Sequence, residues 1–337
     1  MIRTRRKLSG IRLRRRHIAA LIGVFVLIAV AIVISFLTPA ALSGKITTNS
    51  QSNATQTTPS AFNNIQIVAK AAYVLDMTNG DVLYQKDAQE ALPLASVTKL
   101  MTALVVLDHL HAAGNADTIV TIDRNALMDA GDSGDIGLLL GERWNMQDLL
   151  EYTLMSSSNV GATALARGAF VGEDASTSEA DFIQAMNLKA GELGFNSMSF
   201  YSDNGLDLNT TEASAFGSAE DVAHLLATAI TTESDVIDVT ALKSKKFVSA
   251  SGITHTAINT DEIIGELPGL IASKTGNTDL AGGNLVVAFD AGLDHPIVIS
   301  VLGSTENARF TDVVALASAT MAYLESLPKA TSTNPTY

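Results

Sequence analysis

A hydroxyl and an ammonium group stand three residues apart, at Ser96 and Lys99, where a long apolar stretch begins. Residues 94–107 are apolar on nearly every side, which is typical of a helix buried in a core. Positions i and i+3 share a helix face, so the two side chains can meet. Desolvation lowers the pKa of a lysine, and a neutral amine can take a proton from serine. The pair therefore predicts a nucleophilic serine; the alternative is that Ser96 only caps the helix.

Two further short segments have the composition of the same kind of site. Ser157-Ser158-Asn159 begins 61 residues after Ser96, between two helical stretches, and Lys274-Thr275-Gly276 lies on a predicted strand. Ser-x-x-Lys, Ser-x-Asn and Lys-Thr-Gly in this order form a signature of acyl-serine enzymes. Each segment alone is a weak signal, but the three together, in order and in suitable structural contexts, indicate covalent serine catalysis.

With these segments the chain resembles the low-molecular-mass penicillin-binding proteins, which are serine D-alanyl-D-alanine carboxypeptidases. The resemblance runs from about Ala71 to Leu324. It includes the segments 92–103, 186–190 with 193–194, 204–207, and 273–278 with 281–282. Predicted strands at both ends of the domain, with helices between them, indicate an α+β fold in which one antiparallel sheet is built from both ends and carries helices on its faces. We expect an all-helical lobe, roughly residues 122–229, beside this sheet.

The resemblance also implies catalytic roles. Ser96 would attack a peptide carbonyl and form an acyl-enzyme, with Lys99 as the base. Ser157 would relay a proton between Lys274 or Lys99 and the leaving amine. The backbone N–H groups of Ser96 and Asn277 would form the oxyanion hole.

The remaining candidate residues would bind substrate. Asn159 would hold a substrate backbone amide, and Lys274 of the Lys-Thr-Gly segment (residues 274–276, with Gly276 last) would set a positive field. Thr275 would bind the terminal carboxylate, and its strand would align the substrate as an added β-strand. Arg309 resembles a second carboxylate anchor, with a surface helix arginine as the alternative.

A second Ser-x-Asn segment, Ser202-Asp203-Asn204, competes for the middle position of the signature. Its aspartate matches the β-lactamase form better than Ser158 does. Residues 204–207, however, lie in a predicted loop and resemble a different segment of the family. We therefore favour Ser157.

The activity that follows from the resemblance is removal of the terminal D-alanine from peptidoglycan stem peptides, with β-lactam antibiotics as covalent inhibitors. A D,D-endopeptidase of the same family is a close alternative. A β-lactamase is disfavoured because no Glu-x-x-Leu-Asn segment occurs, and a non-catalytic wall-binding protein is disfavoured by the intact signature. No metal or other cofactor is expected, since the histidines are scattered and no cysteine is present.

Charge and hydropathy divide the N-terminal region into three parts. Residues 1–17 carry eight Lys and Arg and no acid, residues 18–37 are almost entirely apolar, and residues 38–64 are rich in Thr, Ser, Asn and Gln. Twenty apolar residues suffice to span a bilayer, and the basic head should remain cytoplasmic. We expect a single-pass membrane anchor, a flexible linker and an extracytoplasmic catalytic domain, although Ala40, Ala41 and Ser43 leave cleavage open.

The catalytic domain is expected over residues 65–328, followed by a disordered tail at 329–337. Many members of the family carry an extra C-terminal domain and a C-terminal anchor, which we expect to be absent here. Outside the basic head the chain carries 14 basic and 35 acidic residues, a net charge of −21, which argues against nucleic-acid binding.

Within the domain, apolar periodicity predicts the following elements. They are an Asn79-Gly80 hairpin between residues 71–77 and 82–84, a strand at 119–122, strands at 267–275, 284–290 and 296–303, and helices at 96–113, 144–154, 159–170, 181–193, from 218 onward, and 309–326.

Overall fold

A five-stranded antiparallel sheet joins the two ends of the folded region, in the strand order β10-β11-β12-β1-β2. The computed structural model describes residues 59–114, 118–129, 137–170, 179–292 and 294–328. These residues all fall within one unit that begins at residue 56. Its strands are β1 (Ala71–Asp76), β2 (Val82–Lys86), β3 (Leu92–Pro93), β4 (Ile119–Thr121), β5 (Arg143–Asn145), β6 (Ser199–Phe200), β7 (Ala215–Gly217), β8 (Ser244–Val248), β9 (Thr254–Ile258), β10 (Leu270–Thr278), β11 (Gly282–Asp290) and β12 (Pro296–Ser304).

Seven α-helices occur among the described residues. They are α1 (Lys99–Ala113), α2 (Arg124–Asp129), α3 (Met146–Ser156), α4 (Asn159–Phe170), α5 (Glu179–Glu192), α6 (Ala219–Ile237) and α7 (Ala308–Ser326). Short 3₁₀ helices cover Ser60–Phe62, Ala95–Thr98 and Asp238–Ala241. The predicted α+β class is confirmed, with the sheet built from both termini.

Both faces of the main sheet are covered, so its strands are apolar at consecutive positions. Along β11, Val286 and Ala288 belong to the cluster that contains α1 and α6, whereas Leu285, Val287 and Phe289 belong to the cluster that contains α7. Helix α1 is buried over most of its length and contacts α4, α5 and α6. The sheet and the helical lobe therefore share one core around α1.

The lobe is not all-helical as expected. β4 pairs with β5, and β3, β7 and β6 form a three-stranded sheet. Trp144, expected in a helix, lies on β5 opposite Val120, and the helix begins only at Met146, where the side chain of Asn145 accepts from two backbone N–H groups. A β8–β9 hairpin was not anticipated at all.

The Asn79-Gly80 turn is wider than the two-residue turn that its sequence predicts. The Asp76 carboxylate accepts from the Thr78 N–H and the Asn79 side chain accepts from the Asp81 N–H, each at 2.8–2.9 Å. These local bonds compete with ladder bonds, so the hairpin closes through five residues, 77–81.

The predicted membrane span at 18–37, the basic head, the first part of the linker and the tail at 329–337 lie outside the described residues. No helix within the described ranges is long and apolar enough to cross a bilayer. Residues 59–64, predicted to end the linker, instead fold with the domain: Phe62 is buried and stacks on Tyr84 with 5.5 Å between ring centroids.

Phe62→Ala tests whether this segment belongs to the folded unit. Loss of the buried ring should lower the free energy of unfolding by roughly 3 kcal/mol. Val68→Ala, at an exposed position shortly after this segment, should change it by less than about 0.5 kcal/mol. Urea unfolding of both variants checks this, and equal midpoints would show that the ring adds no stability.

Candidate active site

The serine of the first signature segment lies in a tight turn at the start of α1. Residues 95–98 form a 3₁₀ helix, in which positions i and i+3 eclipse one another, and Lys99 opens the α-helix. The Lys99 Nζ donates to the Ser96 Oγ at 2.9 Å. Ala95, directly before the serine, has a φ of +49°, which is unfavourable for a residue with a Cβ.

Lys99 has no solvent-exposed surface, and its amino group is held by polar atoms from two other segments. It donates to the Asn159 Oδ1 at 2.7 Å and to the Asn204 carbonyl oxygen at 2.6 Å. Asn159 begins α4, and Asn204 lies in the loop between β6 and β7. The first two signature segments therefore meet at this amine.

The second and third segments meet through another lysine. Ser157 closes α3 in the left-handed conformation, with a φ of +60°, which turns the chain before α4 begins. The Lys274 Nζ donates to the Ser157 Oγ at 2.8 Å and to the Thr275 carbonyl oxygen at 2.9 Å. Lys274 is buried on β10.

Burial lowers the pKa of Lys274 well below its ordinary value, and the positive charges of Lys99 and Arg309 lower it further. Asp261 opposes this shift. The pKa of Asp261 is itself raised, chiefly because its carboxylate is buried. The site thus gathers three basic side chains and one acid, all of them buried.

Arg309 is not a surface residue. It is buried at the start of α7, and its Nη1 donates to the Gly276 carbonyl oxygen at 2.8 Å. Desolvation lowers the pKa of its guanidinium below the ordinary value. Nearby, the hydroxyl oxygens of Thr275 and Thr260 lie 2.5 Å apart.

One cleft of about 250 Å³ brings the predicted residues together. Seven of the nine line it: Ser96, Ser157, Asn159, Thr275, Gly276, Asn277 and Arg309. The other two do not line it. Lys99 is hydrogen-bonded to the Ser96 hydroxyl, and Lys274 is hydrogen-bonded to the Ser157 hydroxyl. Ser202 of the competing segment does not line the cleft. Its hydroxyl is hydrogen-bonded to the Ser214 hydroxyl and accepts a hydrogen bond from the Gly205 N–H.

Glycines allow these segments to approach closely. A Cβ at Gly276 would lie 2.8 Å from the Leu94 carbonyl oxygen, and one at Gly205 would lie 2.1 Å from the Ala95 carbonyl oxygen. Both clashes are with the backbone around the serine turn. Gly276 is therefore required for packing of β10 against that turn, apart from any contact with substrate.

Sequence reasoning missed three contributors: the Asn204 carbonyl, Thr260 and Asn284. The Asn284 amide donates to the carbonyl oxygens of Pro93 and Leu94, immediately before the serine turn. Thr260 lies outside all three motifs, and a backbone carbonyl has no sequence signature. Asn284 is the first residue of a predicted strand, where asparagine is uncommon, and this is the one sequence feature that could have indicated a special role for it.

A family model described as D-alanyl-D-alanine carboxypeptidase, peptidase S11, matches residues 53–306. The chain belongs to this family. It is 28% identical to a D-alanyl-D-alanine carboxypeptidase of Bacillus subtilis over 262 residues, which covers 77% of this chain and 64% of the relative. It is 31% identical to a D-alanyl-D-alanine endopeptidase of Pseudomonas aeruginosa over 161 residues, 48% of this chain and 47% of that one. The chain thus spans less than two thirds of either relative.

Among solved structures, the chain is similar to penicillin-binding protein D2 from Listeria monocytogenes in its ampicillin-bound form. The TM-score is 0.65 at 27% identity, and the match covers 76% of this chain and 98% of the other. The predicted family resemblance is thereby confirmed.

The lowered pKa of Lys274 predicts a pH dependence of stability. The unfolded chain binds a proton at this lysine up to about pH 10.4, whereas the folded chain releases it at lower pH. The free energy of unfolding therefore rises with pH between the lowered pKa of the folded chain and about pH 10.4, by at most about 1.4 kcal/mol per pH unit.

Urea unfolding between pH 7 and 10 measures this rise. Lys274→Met should remove it, whereas Lys70→Met, at an exposed position, should show the same rise as the wild type. Parallel curves for wild type and Lys274→Met would contradict it.

Proposed function

We propose that this chain is a serine D,D-carboxypeptidase, which removes the terminal D-alanine from peptidoglycan stem peptides through an acyl-serine intermediate. The observation that carries the proposal is the contact of the buried Lys99 amine with the Ser96 hydroxyl at 2.9 Å, at the floor of a cleft lined by the rest of the signature. The family and the likeness to a penicillin-binding protein support the same assignment.

The arrangement around Lys99 suits a general base. A neutral amine donates two protons, and two carbonyl-type acceptors, Asn159 Oδ1 and the Asn204 carbonyl oxygen, are in place to receive them. The lone pair then faces Ser96 and takes its proton as the oxygen attacks the penultimate D-alanine carbonyl. The Ser96–carbon bond forms, and the backbone N–H groups of Ser96 and Asn277 stabilise the oxyanion.

Collapse of that intermediate breaks the peptide bond, and the leaving D-alanine amine needs a proton. Ser157 lines the cleft and accepts a hydrogen bond from Lys274, so it is placed to deliver a proton to the amine and take one from Lys274. The proton that Lys99 took from Ser96 passes through Ser157 to Lys274 and replaces the one given to the amine, which leaves Lys99 neutral. Water then attacks the ester and gives a proton to Lys99, and Lys99 returns it to the Ser96 oxygen as the ester bond breaks. The products are a shortened stem peptide, free D-alanine and the regenerated serine.

Selectivity for a chain end follows from the cations on the other side of the cleft. A terminal carboxylate would meet the Thr275 hydroxyl and the positive field of Arg309 and Lys274, which are all buried and so interact strongly with an anion. Strand β10 is an edge strand of the main sheet, so an extended substrate can pair with it. β-Lactams, which carry a strained amide and a carboxylate, should acylate the same serine.

Incubation of the full-length chain with a stem pentapeptide that ends in D-Ala-D-Ala tests the proposal. Wild type should release one D-alanine, detected by mass spectrometry, and Ser96→Ala should lower the rate by a factor of roughly 10⁴ or more. Ser318→Ala, on the exposed side of α7, should retain the wild-type rate.

Other outcomes identify the alternatives. An intact pentapeptide together with rapid turnover of penicillin would indicate a β-lactamase. Absence of both reactions would indicate a binding protein. Faster cleavage of a cross-linked dimer than of the pentapeptide would indicate an endopeptidase, the activity named for the Pseudomonas aeruginosa relative.

We further propose that residues 18–37 anchor the chain in the cell membrane, with residues 1–17 on the cytoplasmic side and the catalytic domain outside. The support is the apolar length of the segment and its basic flank. The full chain should sediment with membranes and resist extraction by high salt, and deletion of residues 1–37 should release it. Release of the full chain by salt alone would contradict the anchor.

A further inference from the structure

We propose that Asn284 is a positioning residue, which holds the backbone before the serine turn and thereby fixes the direction in which the Ser96 hydroxyl attacks. The proposal rests on the proposed function of Ser96 as nucleophile. Asn284 lies on β11, outside the three signature segments, and has no solvent-exposed surface.

The Asn284 side chain makes three hydrogen bonds, all to backbone. Its Nδ2 donates to the Pro93 carbonyl oxygen at 2.9 Å and to the Leu94 carbonyl oxygen at 3.0 Å. Its Oδ1 accepts from the Gly303 N–H at 2.8 Å. Two acceptors on one side and a donor on the other allow only this orientation of the amide. The side chain therefore joins β12 to the chain segment that leads into Ser96.

The strands are shaped to place this side chain. The pairing of β11 with β12 shifts register between Gly283 and Leu285, so that Asn284 alone stands opposite two residues of β12, Leu302 and Gly303, as at a β-bulge on β12. On the other side, Asn284 is paired with Gly276 of β10. Since Gly276 has no side chain, the Leu94 carbonyl can approach the sheet closely.

The segment that Asn284 holds is under conformational strain. Ala95, between Leu94 and Ser96, has a φ of +49°, which costs of order 1 kcal/mol or more for a residue with a Cβ and persists only where surrounding contacts enforce it. Strand β3 is fixed by β7 through backbone pairing, and the Leu94 N–H donates to the Ala215 carbonyl oxygen. These bonds fix one side of the segment only. The two bonds from Asn284 fix the side that faces the main sheet.

The position of the Ser96 hydroxyl depends on the two hydrogen bonds from Asn284. The Leu94 carbonyl also accepts from the Val97 N–H at 3.3 Å, the first bond of the 3₁₀ turn that contains Ser96. Release of the Pro93 and Leu94 carbonyls would let the turn relax towards an ordinary φ at Ala95. Displacement of a reacting atom by about 1 Å can lower a rate by about 100-fold. The substrate-binding side chains on β10 and α7 make no bond with Asn284, so non-covalent binding should persist.

Asn284→Asp is the variant that tests this role. It keeps the shape of the side chain and the acceptor for Gly303, but it replaces both N–H donors by an oxygen that repels the two carbonyls. Asn187→Asp is the control for the hydrogen-bonding pattern, because Asn187, at an exposed position of α5, also donates to two carbonyls, of Ile183 and Phe200, and accepts from one N–H, of Phe200. Asn284→Ala removes the donors without adding charge.

Stopped-flow acylation of the full-length chain by a fluorescent penicillin separates the dissociation constant of the first complex from the rate constant of acylation. Both Asn284 variants should lower the acylation rate constant about 10- to 100-fold and leave the dissociation constant within about twofold. Asn187→Asp should change neither. Thermal melts at the same pH show that the variants are folded at the assay temperature.

Three results would overturn the proposal. They are an unchanged acylation rate constant with a lowered melting temperature, a loss confined to the dissociation constant, and failure of both Asn284 variants to fold. The first and third would make Asn284 a stabilising residue alone. Absence of acylation in the wild type would instead reject the proposed function, so the two hypotheses fail in different ways.

Discussion

The buried amine of Lys99 is the constraint on which the rest of the site depends. An amine without access to water must have its hydrogen bonds supplied by protein, because an unsatisfied buried polar group is costly. Ser96, Asn159 and Asn204 supply them from three separate segments. Asn159 and Asn204 are brought to Lys99 by two different parts of the fold, so the domain must be assembled before the lysine can be buried.

The surrounding architecture follows from this requirement. Helix α1 runs through the shared core and presents Lys99 at its first turn, where Ser96 faces the cleft. The left-handed turn at Ser157 directs α4 so that Asn159 reaches the amine from the helical lobe. Strand β10 approaches from the sheet with Lys274, and its passage close to the serine turn requires Gly276. The cleft lies where the lobe and the sheet meet. Each can contribute polar side chains there without placing them among its own buried apolar residues.

Local features of this site were predictable from the sequence, and features that depend on tertiary contacts were not. The meeting of Ser96 and Lys99 follows from a spacing of three residues in a helical turn, which holds for any fold. The contact of Ser157 with Lys274 spans 117 residues and could be expected only from the order of the motifs and the family resemblance. The Asn204 carbonyl could not be foreseen, since every residue has one.

The same distinction explains the errors in the fold. The long strands β10, β11 and β12 were found because their apolar runs are continuous, although their ends were placed up to three residues away. β5 has three residues, too few for a period to be distinguished from the helix that follows, so Trp144 was placed in that helix. In β8 and β9 mainly Phe247, His255 and Ala257 point inward, and so few apolar residues give no readable alternation.

The most direct test of a lysine-activated Ser96 is to locate the covalent bond itself. The full-length chain is treated briefly with ampicillin, quenched in acid, digested and sequenced by tandem mass spectrometry. The account predicts one added ampicillin mass per chain, carried by Ser96, and no adduct under the same conditions in Lys99→Arg. An adduct on Ser157, Ser202 or any other residue, or equal labelling of the Lys99→Arg variant, would contradict it.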